Sequence, residues 1–373
     1  MRARPALRRL AAAIAFLGFG LFAAPAAADP ITVTDIAGNT VELPQPARRV
    51  VLGDGGLITV VALLDPEPLS LVAGWADNLV RFDPGTAAAY RTRFPAIDRL
   101  PLVGGTTAET FSVEQALALR PDLVVLPLWF GPAEELERQL GAAGVPVLRI
   151  DFFDDPLRNT VPSLRALGRA LGREERAEAY IRFYEAHMGR IAGTLAAHPG
   201  ARPKVLLHAR AGGWECCWSA GASGAGTLID FAGGENIAKA IVPGPTGQLG
   251  LEYVLAQTPE VYIAAGGPHL PGPGNFRIGP GVSPATVREQ LAAIRGEPGL
   301  GQLPAVAAGR AHALWLNFFH APTHVVAVEA MAKWFHPELF RDLDPSATLA
   351  EINRRFLAVP MEGTYFGDLG AGE

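Results

Sequence analysis

Two cysteines are all that this 373-residue chain carries, and they are neighbours, Cys216 and Cys217. They lack the paired CxxC spacing of a zinc site. No glycine-rich loop ends in Lys-Ser or Lys-Thr, which excludes a P-loop for nucleotide phosphates. GASGAG carries Ser223, but its second glycine is misplaced for the strand-turn-helix nucleophile of a hydrolase. His320 and His324 have the spacing that puts two ligands on one helical face, but Pro322 stands between them and starts the helix after His320. No metal site, cofactor or catalytic residue is expected. Past the N-terminus, no apolar run approaches the ~20 residues needed to cross a bilayer.

The N-terminus reads as a secretory signal peptide over residues 1–28. Arg2, Arg4, Arg8 and Arg9 precede an apolar run from Leu10 to Ala24, and Ala26-Ala27-Ala28 offers a small-residue cleavage site. No cysteine lies near it, so a lipoprotein is not expected. The expectation is a soluble periplasmic monomer. Cleavage removes four arginines and no acids, which takes the formal charge from −5 to −9. Such an acidic balance argues against nucleic acid or an anionic membrane as partner.

The remaining chain exceeds the usual size of one core. ARRVVLGD, LSLVAGW, PDLVVLPLWF and VPVLRIDFF read as strands, with VEQALALR and AEELERQLGAAG as helices between them. That alternation predicts an α/β fold with mostly parallel sheets. Residues 159–198 read as helix broken near Gly172, and strands resume with KVLLHAR, EVYIAAGG and AHALWLN. The expected organisation is an N-terminal lobe over 29–157, a helical connector with one long helix over 158–198, and a second lobe over 199–373. VEQALALRPDLVVL from Val113 aligns without gaps to LEYVLAQTPEVYIA from Leu251, with Glu114 opposite Glu252 and Pro121 opposite Pro259. Ser112 and Gln115 are spaced as a capping box.

Ligands of open α/β sheets sit beyond the carboxyl ends of the strands. Those positions are Asp54, Trp75, Trp129 and Phe130 in the first lobe. In the second they are Arg210, Trp214, Trp218, His269, Asn317, Phe318, Phe319 and His320. Four of the six tryptophans fall in these loops, which suggests an aromatic-lined cleft for a sizeable organic ligand. Arg210 and Arg277 offer charge and hydrogen bonds to it.

DIAGNTVELPQPARRVV, SVEQALALRPDLVV, AGVPVLRID, the long helix, GTLIDFAGGENIA and LEYVLAQTPEVYI together resemble the periplasmic binding proteins that serve ABC importers of iron siderophores, haem and cobalamin. The resemblance runs from Ile31 to about Leu343. It implies two Rossmann-like lobes joined by one long helix, with ligand held between them and little closure on binding. It also implies that Glu114 and Glu252 dock the two lobes onto arginines of a permease. The ligand expected is a ferric siderophore. The alternatives are haem or cobalamin, with His269 or His320 as axial ligand, then an α/β enzyme or a bare metal ion. The chain departs from the family in lacking a tryptophan just before SVEQ, in its glycine- and proline-rich loop from Gly266 to Pro284, and in Cys216-Cys217.

Adjacent Cα atoms lie ~3.8 Å apart, closer than disulfides prefer. With no third cysteine, the options are a strained bond between neighbours, two free thiols, or an intermolecular link. Export to an oxidising compartment favours the first. The bonded pair is expected to hold Trp214 and Trp218 toward the cleft.

Overall fold

A computed structural model describes residues 30–213, 216–267 and 275–369. The expected signal peptide, Trp214 and His269 lie outside the described residues.

The first lobe opens with a hairpin of β1 (Ile31–Thr34) and β2 (Thr40–Leu43). Asp35 organises it. Its Oδ1 accepts from Ala37 N and Asn39 N, and its Oδ2 accepts from Arg149 N at 3.1 Å. Then come β3 (Val50–Leu52), β4 (Val72–Trp75), β5 (Leu123–Pro127) and β6 (Val147–Ile150), in the order β4-β3-β5-β6 and parallel throughout. β3 and β5 are buried at every position, as expected for strands covered on both faces.

The second lobe holds β7 (Lys204–Ala209), β8 (Trp218–Ala220), β9 (Glu235–Asn236), β10 (Thr246–Gln248), β11 (Val261–Gly266), β12 (Gly279–Pro280), β13 (Ala311–Trp315), β14 (Gly363–Thr364) and β15 (Phe366–Asp368). Its large sheet runs β10-β8-β7-β11-β13-β15, with β9 on β7 and a parallel centre of β7, β11 and β13. The flanking β8, β10 and β15 are antiparallel. β15 brings the C-terminal segment back against β13, a return the sequence reading did not foresee.

Between the lobes run the helices Pro156–Ala170 and Glu174–Ala197, parted at Gly172, whose φ is +63°. The first starts with Asp155 accepting from Arg158 N and with Pro156 at the first helical position, a favoured start. The helix Glu174–Ala197 packs on Ile58–Leu64 from the first lobe and on His324–Phe335 from the second. One apolar core therefore runs unbroken from Leu52 and Ile150 through Tyr180 and Ile191 to Leu207 and Met331. A smaller core under the other face of the first sheet gathers Val51, Val124, Phe111 and Phe130.

The helix-proline-strand repeat extends to its backbone. The helices Val113–Ala118 and Leu251–Gln257 each end just before a residue with φ +48°, Arg120 and Thr258, one step ahead of the matching prolines. A left-handed residue is a common helix stop. Ser112 Oγ accepts from Gln115 N at 3.2 Å.

Polar groups are also buried between the helix Glu174–Ala197 and the second-lobe helix His324–Phe335. The Tyr184 hydroxyl lies 2.8 Å from His324 Nε2, and His187 Nδ1 lies 2.6 Å from Glu329 Oε1. Burial pushes the His324 imidazole from 6.5 down to about 4. A histidine depressed in this way takes its proton first in the unfolded chain. Its contribution to stability is intact above pH 6.5 and is lost as pH falls through about 4. Denaturant unfolding across that window should show a steadily falling free energy, and His324→Gln should flatten the slope. An identical slope in the variant would assign the acid sensitivity to other groups.

Candidate functional site between the lobes

A cavity of about 640 Å³ opens where the two lobes face each other. Its walls come from the carboxyl ends of parallel strands in both sheets, where α/β folds place ligands.

Asp54 follows β3 and is 5% exposed. Its Oδ1 accepts from Gly56 N at 2.7 Å and from Asn78 Nδ2 at 2.5 Å, and Asn78 Oδ1 in turn accepts from Gly55 N at 2.6 Å. Burial raises the Asp54 carboxyl above its ordinary range, against the lowering effect of those donors. Asp83 caps the helix Pro84–Arg93 by accepting from Thr86 N, and burial raises it too. Its Oδ2 accepts from Asn317 Nδ2 at 3.2 Å, a hydrogen bond between the lobes. The lobes also touch at Gly85, where a Cβ would lie 2.8 Å from Pro280 Cβ.

Trp129 sits in the 3-10 turn Leu128–Phe130 after β5. Arg149 holds that turn, its Nη2 donating to Leu128 O at 3.0 Å and to Gly131 O at 3.2 Å. His320 ends the 3-10 turn after β13 and meets Trp129 edge-on at 6.3 Å. It stacks on Phe153 at 4.5 Å with only 7° between the rings. Arg210, half-buried just past β7, adopts a φ of +55° that non-glycine residues seldom take. Burial lowers its pKa.

Of the residues singled out by sequence, the cleft lining unites Asp54, Trp129, Arg210, Asn317 and His320. Others stand elsewhere. Trp75, 3% exposed, packs into the main core rather than the cleft. Phe130 turns into the smaller core, edge-on to Phe111 at 5.9 Å. Phe318 and Phe319 are buried in the main core beside their cleft-lining neighbours. Successive residues of a 3-10 turn point a third of a revolution apart. One residue of each turn can therefore face the cleft while the next enters the core. Arg277 is exposed on the second lobe, its backbone tied to the Gln290 side chain. Trp218 begins β8, half-buried and outside the cleft lining, so the expected turn toward the ligand is not adopted. Cys216 and Cys217 are bonded to each other, and Cys217 is fully buried.

The sequence reading missed several lining residues, including Tyr90, Trp315, Met361, Glu362 and Tyr365. Tyr365 lies edge-on to Trp315 at 5.0 Å. The Tyr90 hydroxyl and Trp315 Nε1 are buried without a hydrogen-bond partner among the described residues. Asp83 before Pro84 was readable as a helix cap. The C-terminal lining carries no local signal, because it reaches the cleft only through the pairing of β15 with β13.

Among curated proteins, none matches the sequence. Residues 61–314 match the family described as periplasmic binding protein. Solved structures share the architecture. The TroA-like periplasmic binding protein FepB from Veillonella parvula is 28% identical, with a TM-score of 0.83 over 91% of this chain and 100% of its own. A periplasmic heme-binding protein from Pseudomonas aeruginosa is 23% identical, with a TM-score of 0.55 over 86% of this chain and 98% of its own. The molybdate-binding MolA from Haemophilus influenzae is 16% identical, with a TM-score of 0.66 over 89% of this chain and 99% of its own.

Proposed function

We propose that this chain, which belongs to the periplasmic binding protein family, holds a ferric siderophore in the cleft between its lobes. Proteins of this family are binding proteins of ABC transporters and not enzymes, so the captured small molecule passes to a permease.

The observation that carries the siderophore reading is the composition of the cleft wall. Trp129, Tyr90, Trp315 and Tyr365 give it apolar faces, and Asp54, Asp83, Asn317 and Arg210 set polar groups among them. A cavity of about 640 Å³ suits a bulky complex better than a bare ion. The buried Tyr90 hydroxyl and Trp315 Nε1 offer donors to the metal-bound oxygens of such a complex. Among the described residues, three acids, Asp54, Asp83 and Glu362, line the cleft against one arginine, Arg210. That balance favours a neutral, hydroxamate-type complex over a strongly anionic catecholate. Haem is the second reading, and the observation in its favour is His320 in the cleft wall.

Titration of ferric siderophores, haem and cobalamin, read by quenching of Trp129 and Trp315 fluorescence, tests the assignment. Tight, saturable binding of a neutral ferric siderophore is expected. A Soret band on haem addition with no siderophore response would replace this reading with the second. Arg210→Ala should weaken the siderophore about tenfold or more, from the loss of a charge-assisted hydrogen bond of roughly 1.5–3 kcal/mol. Unchanged affinity would move Arg210 to a structural role.

A further inference from the structure

His208 is the last residue but one of β7, 2% exposed, and it is not part of the cleft lining. Its Nδ1 lies 2.9 Å from the buried Tyr262 hydroxyl on β11. Its Nε2 is buried with no hydrogen-bond partner among the described residues. The two cysteine sulfurs stand close to the imidazole. His208 Nε2 or Nδ1, Cys216 Sγ and Cys217 Sγ can all lie within 4.8 Å of one another. β7 is bridged to β8 at His208 and Ser219, and Cys217 exchanges backbone hydrogen bonds with Leu249 at 3.0 and 2.9 Å. Imidazole and thiols are thus fixed to one sheet. None of the three lines the ligand cleft.

We propose that His208, Cys216 and Cys217 form a binding site for one Cu(I) ion, occupied when the cysteine pair is in its dithiol form. Two thiolates and one imidazole are a soft donor set of the kind that selects Cu(I). Zn(II) in a closed site takes four ligands, and among the described residues no fourth thiolate, imidazole or carboxylate joins the cluster. A metal-binding histidine usually donates its other ring N–H to an oxygen, which fixes the tautomer. The Tyr262 hydroxyl stands where that oxygen belongs, and it leaves the Nε2 lone pair for the ion. Cys216 is only partly buried and gives the ion a way in.

In the structure the two sulfurs are bonded to each other, so loading begins with reduction. A small thiol attacks the Cys216–Cys217 bond to give a mixed disulfide, and a second thiol releases it. Two thiol hydrogens pass to the protein sulfurs, and the two reductant sulfurs leave joined as a disulfide. Cu(I) then displaces one proton from each cysteine. Exchange with an incoming small disulfide re-forms the Cys216–Cys217 bond, the small disulfide's two sulfurs leaving as thiolates, and the loss of both protein thiolates lets the Cu(I) ion go.

The test offers Cu(I) to the full-length protein after anaerobic thiol reduction, with bicinchoninate as competing chelator. One Cu(I) per chain should be retained, with imidazole outer-shell scattering in the X-ray absorption spectrum. Oxidised protein, and protein with both cysteines replaced by serine, should retain none. His208→Asn keeps a donor toward Tyr262 but removes Nε2. It should bind at least tenfold more weakly and lose the imidazole scattering, with its thermal unfolding checked against the parent. No retention by the reduced parent would overturn the site. Equal retention by oxidised protein or by His208→Asn, or equal uptake of Zn(II), would overturn the donor set or the ion.

Discussion

Uptake supported by the Glu114→Ala/Glu252→Ala chain is expected to disappear, while affinity for the transported ligand stays within about twofold. Both acids are exposed in the first turn of their helices, at the same step of the repeated helix-proline-strand unit. Neither lines the cleft. Their helices tolerate the loss, since a first-turn acid is worth roughly 0.3–1 kcal/mol at an exposed site. Charges at the rim of a contact act mainly on association and on choice of partner. The defect should therefore lie in docking to the permease. Cells in which this protein is the sole binding component would report it as lost uptake of the transported ligand, with the purified variant titrated in parallel. Normal uptake would end the assignment of these two acids to docking.

Arg149→Ala should be the most damaging single substitution in the first lobe, costing about 3–5 kcal/mol, as for a broken buried ion pair. The Arg149 side chain is 6% exposed and pairs with Glu137 at 3.0 Å. It also satisfies two carbonyls of the turn that carries Trp129. Truncation leaves a carboxylate and two carbonyls without their donor, and it frees the turn that aims Trp129 into the cleft. Loss of stability and loss of ligand affinity should appear together. Arg149→Lys should rescue little, because one ammonium cannot span the positions held by a planar guanidinium. Urea midpoints of both variants measure this. A lysine variant as stable as the parent would show that charge alone, and not the fork, is required.

The parallel architecture was legible because its strands are covered on both faces, so VVL and LVVLP stand out as unbroken apolar runs. Strand ends also located the cleft, and Asp54, Trp129, Arg210, Asn317 and His320 stand there together. Knowing where a strand ends does not say which way each following side chain turns. Phe130 and Phe319 show the difference, each one backbone step from a cleft-lining residue yet packed in a core, and Trp75 at the end of β4 is packed in a core as well. Tyr90 and the segment from Leu357 to Tyr365 were illegible for another reason. They reach the site through contacts distant in sequence, such as His312 opposite Asp368, and no local pattern records those.

The unbroken core beneath the cleft has a kinetic consequence. Because Tyr180, Ile191 and Met331 pack as one body with both sheets, swinging the lobes apart would expose apolar surface at roughly 25 cal/mol per Å². Motion confined to the turns that carry Trp129 and His320 would avoid that cost, and loop motions run from nanoseconds to microseconds. A molecule whose lobes stayed packed in this way would keep nearly one outline loaded or empty, and a permease would then read the cleft rim rather than the overall shape.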